Sequence, residues 1–386
     1  MRHTTDSRSG LKSSLLTLSC LSLAWVSLSA QAAENYKLRQ APVGAFGGEI
    51  AAGADNPGLF GTASLTYLDI YKVVGANGKD VAAPAIAPVT LNQALPAYQV
   101  VFGPGTQRLT QSQTQLNLVG GYLSESQYAD GRLAFAVNLP LIAQNRSFAI
   151  NQPAGVLTPT PASPPLPNGT VVAQLNAGAV VANSTVQSRI AASSATQNLD
   201  VTGFGDTELS AVWVRHQDRL KVAAGVSVFA PTGAYDKNRG PNPGFGNFYT
   251  IRPGVAVTYN LNPNHTDTAW DAGVTVAGRL SYGTNTTNKD TNIKSGDFVY
   301  AETAIVKVNG NWAFGTNLFM TQQISDDSGT GNLNGANRYK TYGIGPFLSY
   351  KLPGKDAGFN LQYSDNFGGS NAIVARSLQM RFVKAW

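Results

Sequence analysis

Ser377-Leu378-Gln379-Met380-Arg381-Phe382-Val383-Lys384-Ala385-Trp386 closes the chain. In an extended strand, successive side chains point to opposite faces. Leu378, Met380, Phe382, Lys384 and Trp386 therefore share one face, and Gln379, Arg381, Val383 and Ala385 the other. The first face is apolar and ends in an aromatic; the second carries an amide and a guanidinium. Apolar outside and polar inside is what a membrane β-barrel needs, because its wall meets lipid and its lumen meets water. Lys384 interrupts the apolar face, but near a strand end its aliphatic stem reaches the headgroup region. An edge strand of a soluble sheet shows the same alternation, so this segment alone leaves both architectures open.

The other terminus narrows the choice. Residues 1–32 combine a basic start (Arg2, Arg8, Lys12), a Leu- and Ser-rich run without charge, and the small-residue pattern Ala30-Gln31-Ala32. That is the pattern of a secretory signal peptide cleaved near Ala32. Cys20, the one cysteine of the chain, lies inside it, and Thr17-Leu18-Ser19 before it fits an acylation signal poorly. The mature chain would hold no disulfide, no thiol nucleophile and no Cys-ligated metal.

Only 13% of the 386 residues are charged, and much of the remaining polarity comes from Asn, Gln, Ser, Thr and 40 glycines. No stretch after the signal peptide is apolar enough for a spanning helix, so a membrane could be crossed only by strands. Alternation recurs throughout. Leu133, Phe135, Val137 and Leu139 share a face; so do Leu220, Val222, Ala224, Val226 and Val228; so do Phe359, Leu361 and Tyr363. With eight or nine similar segments, the expectation is an all-β, closed antiparallel transmembrane β-barrel of about 12 strands with long extracellular loops. Counted back from Trp386, the expected periplasmic turns are short (353–356, 309–311, 262–268, 216–218, 125–131). The expected extracellular loops are longer (365–372, 326–338, 283–296, 231–247, 143–203, 74–105). A soluble sandwich has no reason to sort its connections this way. The expected organisation is thus a signal peptide (1–32), an N-terminal periplasmic or lumenal segment (33–58) and a barrel (59–386) with a long loop at 143–203. Ala33–Pro57, rich in glycine, is the candidate to fold into the lumen. Residues 170–197, rich in Ala, Val and Ser, could form a helix or an extra hairpin. Pro253 and Pro346 fall inside expected strands, where each removes a ladder donor; Pro346, beside Gly343 and Gly345, suggests a bulge or kink.

Several phrases resemble the outer-membrane protein family named for the meta-pathway of phenol degradation. They are Gly44–Gly61, Gly203-Phe204-Gly205-Asp206, Phe229-Ala230-Pro231-Thr232-Gly233-Ala234-Tyr235, Asn247–Pro253, Thr321-Gln322-Gln323 with Asp326-Asp327-Ser328, and Gly343-Ile344-Gly345-Pro346. The long insertion near 143–203 departs from that pattern. The resemblance implies an outer-membrane barrel presumed to pass hydrophobic or aromatic compounds. It names no activity and no substrate.

Chemistry-bearing residues are few. His216 and His265 fall in expected periplasmic turns, without the shielded third group that a Ser-His hydrolase needs. Asp326, Asp327, Ser328 and Asn332 loosely evoke a calcium loop, but the EF-hand spacing and its final Glu are absent. No enzyme activity, metal or cofactor is expected. The candidates for lining the lumen are Asp206, Glu208, Lys221, Arg252, Asp271, Arg279, Glu302 and Arg381. Their mixed signs could pair into structural rungs or form a selective constriction, and pairing is the simpler reading because buried charges must be paired. Phe382 and Trp386 are the candidate assembly signal. Expected partners are outer-membrane lipid, the barrel-assembly machinery and a small hydrophobic or aromatic solute; with no basic stripe, nucleic acid is not expected. The leading function is a passive outer-membrane channel into the periplasm. The alternatives are a structural or adhesive outer-membrane protein with surface-binding loops, and a secreted soluble β-protein. Because the last strand must close the barrel, deletion of residues 382–386 should sharply reduce the heat-modifiable, membrane-inserted form on gels, and normal insertion of the truncated chain would contradict this topology.

Overall fold

The structure is a computed structural model and describes residues 34, 36, 38–40, 56–91, 98–159, 169–238, 240–264, 269–332 and 337–386. The signal-peptide reading and most of residues 33–57 lie outside the described residues. In chain order the strands are β1 (Gly58–Val74), β2 (Val89–Thr90), β3 (Tyr98–Val101), β4 (Thr106–Tyr128), β5 (Gly131–Asn151) and β6 (Val156–Pro159). Helix α1 (Gly169–Ala195) follows, then β7 (Asp200–Phe204), β8 (Thr207–Gln217), β9 (Leu220–Ala230) and β10 (Thr250–Asn260). The chain ends with β11 (Val274–Asn285), β12 (Phe298–Asn309), β13 (Trp312–Gln323), β14 (Lys340–Lys351), β15 (Ala357–Ser370) and β16 (Ala372–Ala385).

Twelve of these strands form a closed antiparallel transmembrane barrel, in the order β1-β4-β5-β8 and then β9 to β16. The seam is β1 on β16, with Phe60 opposite Ala385 and Val74 opposite Ala372. The terminal strand behaves as its alternation requires: Leu378 and Met380 face outward, while Gln379 and Arg381 are buried in the lumen. At the last residue, the Trp386 backbone N–H donates to Leu59 O at 2.9 Å. The outer wall is a belt of exposed apolar side chains, among them Leu65, Leu118, Leu209, Leu280, Leu318 and Leu361. Aromatics cluster at its margins: Trp312 on Tyr350 (4.5 Å) and Phe359 on Phe382 (4.9 Å) at the periplasmic end, Tyr342 on Phe367 (5.2 Å) at the other. Amphipathic rings at both edges of an apolar band suit the two membrane interfaces.

Pro253 and Pro346 each interrupt a ladder. The β10–β11 register passes from Ile251 opposite Thr284 to Gly254 opposite Ser281, skipping Pro253. The β14–β15 register skips Gly345 and Pro346 and shifts between Tyr342 and Ile344. The missing N–H accounts for each gap.

Two loop expectations are corrected. Residues 365–372 are not a long loop. β15 runs to Ser370 and β16 starts at Ala372, with only Asn371, in the left-handed region at φ 46°, between them. Gly368 makes this possible, because a Cβ there would lie 2.5 Å from the Tyr342 hydroxyl. Residues 143–203 are not simply a loop either. β5 continues to Asn151, so β4 and β5, at 23 and 21 residues, extend well beyond the 9–11 that a tilted strand needs to span a bilayer.

The remainder of that segment forms a cap together with β2 and β3 from the preceding 74–105 connection. β2, β3 and β6 make a small sheet, and α1 packs on it. Along α1, Leu175, Ala182, Val186 and Ile190 are buried, a spacing of seven and four that places them on one helical face. Ala182, Val186 and Ile190 share a cluster with Val89, Val100 and Phe102. Asn183 brackets the Gly155 backbone, accepting from its N–H at 2.7 Å and donating to its carbonyl at 3.1 Å. β7 then returns along β5, and Gly205-Asp206 turn the chain into β8. Because the cap core meets the barrel through Ile150, next to last in β5, rather than through its membrane-spanning part, Val186→Asp should unfold the cap alone. An unpaired carboxylate there should cost about 3 kcal/mol. Circular dichroism should lose helix while gel heat-modifiability is retained; loss of both would show that cap and barrel fold together.

Candidate functional site

Inward positions are set by the period of two and by the phase of each strand. On β8 to β12 they include Glu208, Ser227, Arg252, Arg279, Tyr300 and Glu302. Below them, Ala223, Ala256, Ala277 and Ala304 form a small-residue lining. Alanine and glycine here leave room for long guanidinium side chains within the lumen.

Of residues 33–57, the described Glu34, Leu38, Arg39 and Gln40 lie against the extracellular ends of the strands. Leu38 packs against Val74, Phe298, Tyr339, Ala372 and Val374. Glu34 accepts from Asn288 Nδ2 and from Thr291 Oγ1, both at 2.8 Å. Gln40 accepts from the Thr321 hydroxyl on β13. Nearby, burial first and the Glu34 charge second push the Tyr235 phenol up to about 12, so it stays protonated at neutral pH.

Arg39 ties the segment to the wall. Its Nη2 lies 2.8 Å from Asp206 Oδ2 and its Nε 3.0 Å from the same oxygen. It also donates to the carbonyls of Gly246 and Phe248 and stacks 4.0 Å from the Phe248 ring. Asp206 has further work: its two oxygens accept the backbone N–H groups of Gly233 (3.0 Å) and Phe245 (2.9 Å). Beside it, Arg252 donates to Glu208 Oε1 at 2.6 Å and to the Arg39 carbonyl at 2.9 Å, with Phe229 beneath it at 4.8 Å. Glu302 accepts from the Tyr300 hydroxyl at 2.8 Å and from Asn317, while Arg279 lies 4.7 Å from the Tyr300 ring. These charges are almost fully buried, so each ion pair offsets a large desolvation cost.

The structure thus gathers Glu208, Arg252, Arg279 and Glu302 on β8 and on β10 to β12, with Asp206 in the turn just before β8. It does not gather the other three candidates. Lys221 faces inward at the periplasmic end of β9, opposite Thr258. Arg381 lies on β16, six strands from β10 in either direction around the barrel. Asp271 is a correction: it sits in the turn before β11, where Asn262 Nδ2 approaches it at 3.4 Å. The strand phase does not extend back to it because Gly273, at φ 66°, breaks the extended backbone. Arg39 was missed. Nothing in the local pattern separates it from Lys37, because its partners are about 170 to 210 residues away in sequence.

His216, next to last in β8, is exposed, and His265 lies outside the described residues. Asp326 is bound by Arg338 at 2.7 Å, and Asp327 accepts the Gly296 N–H at 2.8 Å, so these carboxylates brace loops. Among the described residues, no group of three His, Cys, Asp or Glu side chains is placed to hold a metal.

A closed barrel with an apolar outer belt, aromatic margins and a charged, internally occupied lumen is a transmembrane β-barrel protein. The chain belongs to the family described as "Putative MetA-pathway of phenol degradation", which matches residues 122–382. No curated protein matches it in sequence. Among solved structures it is similar to an outer membrane channel from Pseudomonas putida F1 (TM-score 0.57, 13% identity, 90% of this chain and 100% of that one). More remote are the transport unit of the autotransporter AIDA-I from Escherichia coli (TM-score 0.46, 8% identity, 91% and 94% covered) and the CymD monoaromatic hydrocarbon channel (0.36, 10%, 93% and 98%).

The Arg39–Asp206 pair should dominate the attachment of the segment. Asp206→Ala leaves a buried guanidinium and should cost about 3–5 kcal/mol, and adding Arg39→Ala should cost much less than the sum of the two single changes. Thermal unfolding of the detergent-solubilised barrel measures both; full additivity would show that the two side chains do not interact.

Proposed function

We propose that the protein is an outer-membrane channel that passes small hydrophobic or aromatic molecules into the periplasm by passive transport. The observation that carries this reading is the way the lumen is closed. Among the described residues the lumen is lined largely by polar and charged side chains, and Glu34, Leu38, Arg39 and Gln40 sit in its mouth, held by the bonds of Arg39 and Glu34 and by the packing of Leu38. In this reading the lumen opens when that segment is displaced, against the resistance of the Arg39–Asp206 pair and the Leu38 packing. The family's link to phenol degradation and the likeness to an outer membrane channel support the same reading.

In this reading the apolar belt meets outer-membrane lipid, and the terminal strand with Phe382 and Trp386 engages the assembly machinery. Arg252, Arg279, Glu208 and Glu302 form the polar constriction beneath the segment, and no step requires an enzyme. One observation favours a second role at the surface: the cap exposes Val180 and Val181 on an α1 face that carries few charges, as a binding loop would.

Deleting residues 33–40 should raise single-channel conductance and aromatic-solute uptake severalfold while the barrel stays heat-modifiable. A truncated barrel that inserts normally yet carries neither ions nor solutes in bilayers and proteoliposomes would refute the channel.

A further inference from the structure

The charges on the inner wall do not balance. Among the described residues, the carboxylates at inward positions of the barrel strands are Glu208 on β8 and Glu302 on β12. The cations outnumber them. Arg252 on β10, Arg279 on β11 and Arg381 on β16 are buried in the lumen. Lys221 faces inward from β9, and Arg146 of β5 lies opposite the buried Gln111 of β4. Asp206 and Glu34 belong to the mouth, where Asp206 pairs with Arg39 and Glu34 accepts from Asn288 and Thr291. The cations also sit at different depths, from Arg146 in the extracellular half of β5 to Lys221 at the periplasmic start of β9. A lumen with more fixed cations than carboxylates holds a positive potential, and its low-dielectric wall focuses that field. Anions are drawn in and cations are repelled.

Arg252 and Arg279 also share a cavity. In the β9-β10-β11 register, Arg252 lies opposite Ser227 and Arg279 opposite Ala256. Between them runs the row Gly225-Gly254-Ser281, which has almost no side chain. The space it leaves is a cavity of about 50 Å³, lined by Arg252, Arg279, Ser227 and Ser281 over the two glycines. One buried water needs only roughly 10–15 Å³, so a larger group fits. A Cβ on Gly254 would lie 2.7 Å from Ser281 Oγ, so glycine there keeps the cavity open.

Among the described residues, no carboxylate lines this cavity. Glu208 meets Arg252 Nη2 from β8, and Glu302 accepts from Tyr300 and Asn317. Guanidinium and hydroxyl groups around a space without a carboxylate match a small oxyanion, whose oxygens accept several hydrogen bonds at once. A neutral hydrocarbon uses none of these donors.

We propose that the lumen is selective for anions and that the cavity between Arg252 and Arg279 seats the carboxylate of a passing organic monoanion. This rests on the channel reading and adds the sign of the charge that the channel favours.

The test uses the full protein in planar bilayers. Under a KCl gradient the reversal potential should have the sign of chloride selectivity. That selectivity should weaken at about 1 M salt, where fixed charges are screened beyond about 3 Å. Benzoate and its neutral analogue benzamide probe the cavity. Benzoate should reduce the current at a lower concentration than benzamide does. Arg279→Gln should raise the half-blocking benzoate concentration about tenfold, the loss of one charged hydrogen bond. It should leave benzamide block unchanged and move the reversal potential toward zero. Should that variant fail to insert, Arg146→Gln reads the selectivity with the same expected direction, because its side-chain bonds run to the amides of Gln111 and Gln197. A wild-type reversal potential at zero or on the potassium side, or equal block by benzoate and benzamide, would mean that the guanidinium groups only brace the wall. Either result would overturn the inference while leaving the channel standing. A wild-type barrel that carries no current would overturn the channel reading itself, and this inference with it.

Discussion

Closure of β16 onto β1 is the constraint on which everything else depends. Inside a bilayer there is no water to satisfy a backbone N–H or carbonyl, so a strand-built span is stable only when its sheet has no edge. The seam delivers this along nearly the whole length of both strands, from Phe60–Ala385 to Val74–Ala372. The Trp386 N–H on Leu59 carries the bonding to the final residue. Lipid then dictates the outward face, which explains why large apolar side chains such as Leu118 and Leu318 are exposed without penalty.

A closed sheet has an inside, and its contents are the second consequence. Twelve strands enclose a lumen too narrow to be an open aqueous pore yet too wide for one layer of small side chains to fill. Here the two halves are treated differently. Strands β8 to β12 carry paired charges, which hold the N-terminal segment through Arg39 on Asp206. Strands β15, β16, β1 and β4 carry mainly amides and hydroxyls, with Arg381 bonded to Gln379 and Arg146 of β5 to Gln111. Charge fixes a plug in place, because breaking a buried pair is costly. Neutral amides exchange partners more readily, because each bond contributes little net free energy.

The cap is built on a third, independent principle. It lies outside the membrane and buries its own apolar cluster, with α1 on a three-stranded sheet. The long β4–β5 hairpin carries it away from the wall, and Gln152 and Asn198 tie it to that hairpin through Gln187 and Phe148. The mouth of the barrel is thus covered from inside by Glu34, Leu38, Arg39 and Gln40 and flanked from outside by the cap.

How much of this was legible in the sequence follows from how local each cause is. Face alternation depends on neighbours two residues apart, so the barrel, its strand number, the polarity of its terminal strand and the inward phase of Arg252, Arg279, Glu302 and Arg381 could all be read from the chain. Backbone gaps at Pro253 and Pro346 were legible for the same reason, since proline removes its own donor. What the sequence did not show depends on partners far along the chain. The role of Arg39 is set by Asp206, the short β15–β16 connection by the seating of Tyr342 over Gly368, and the limit of the β11 phase by the left-handed Gly273 that leaves Asp271 in a turn. The division of the lumen into a charged and an amide half belongs to this second group. By itself the sequence determined which residues face inward, because the strand period is local. Only closure decided which inward residues meet, because strand order brings residues hundreds of positions apart into one row.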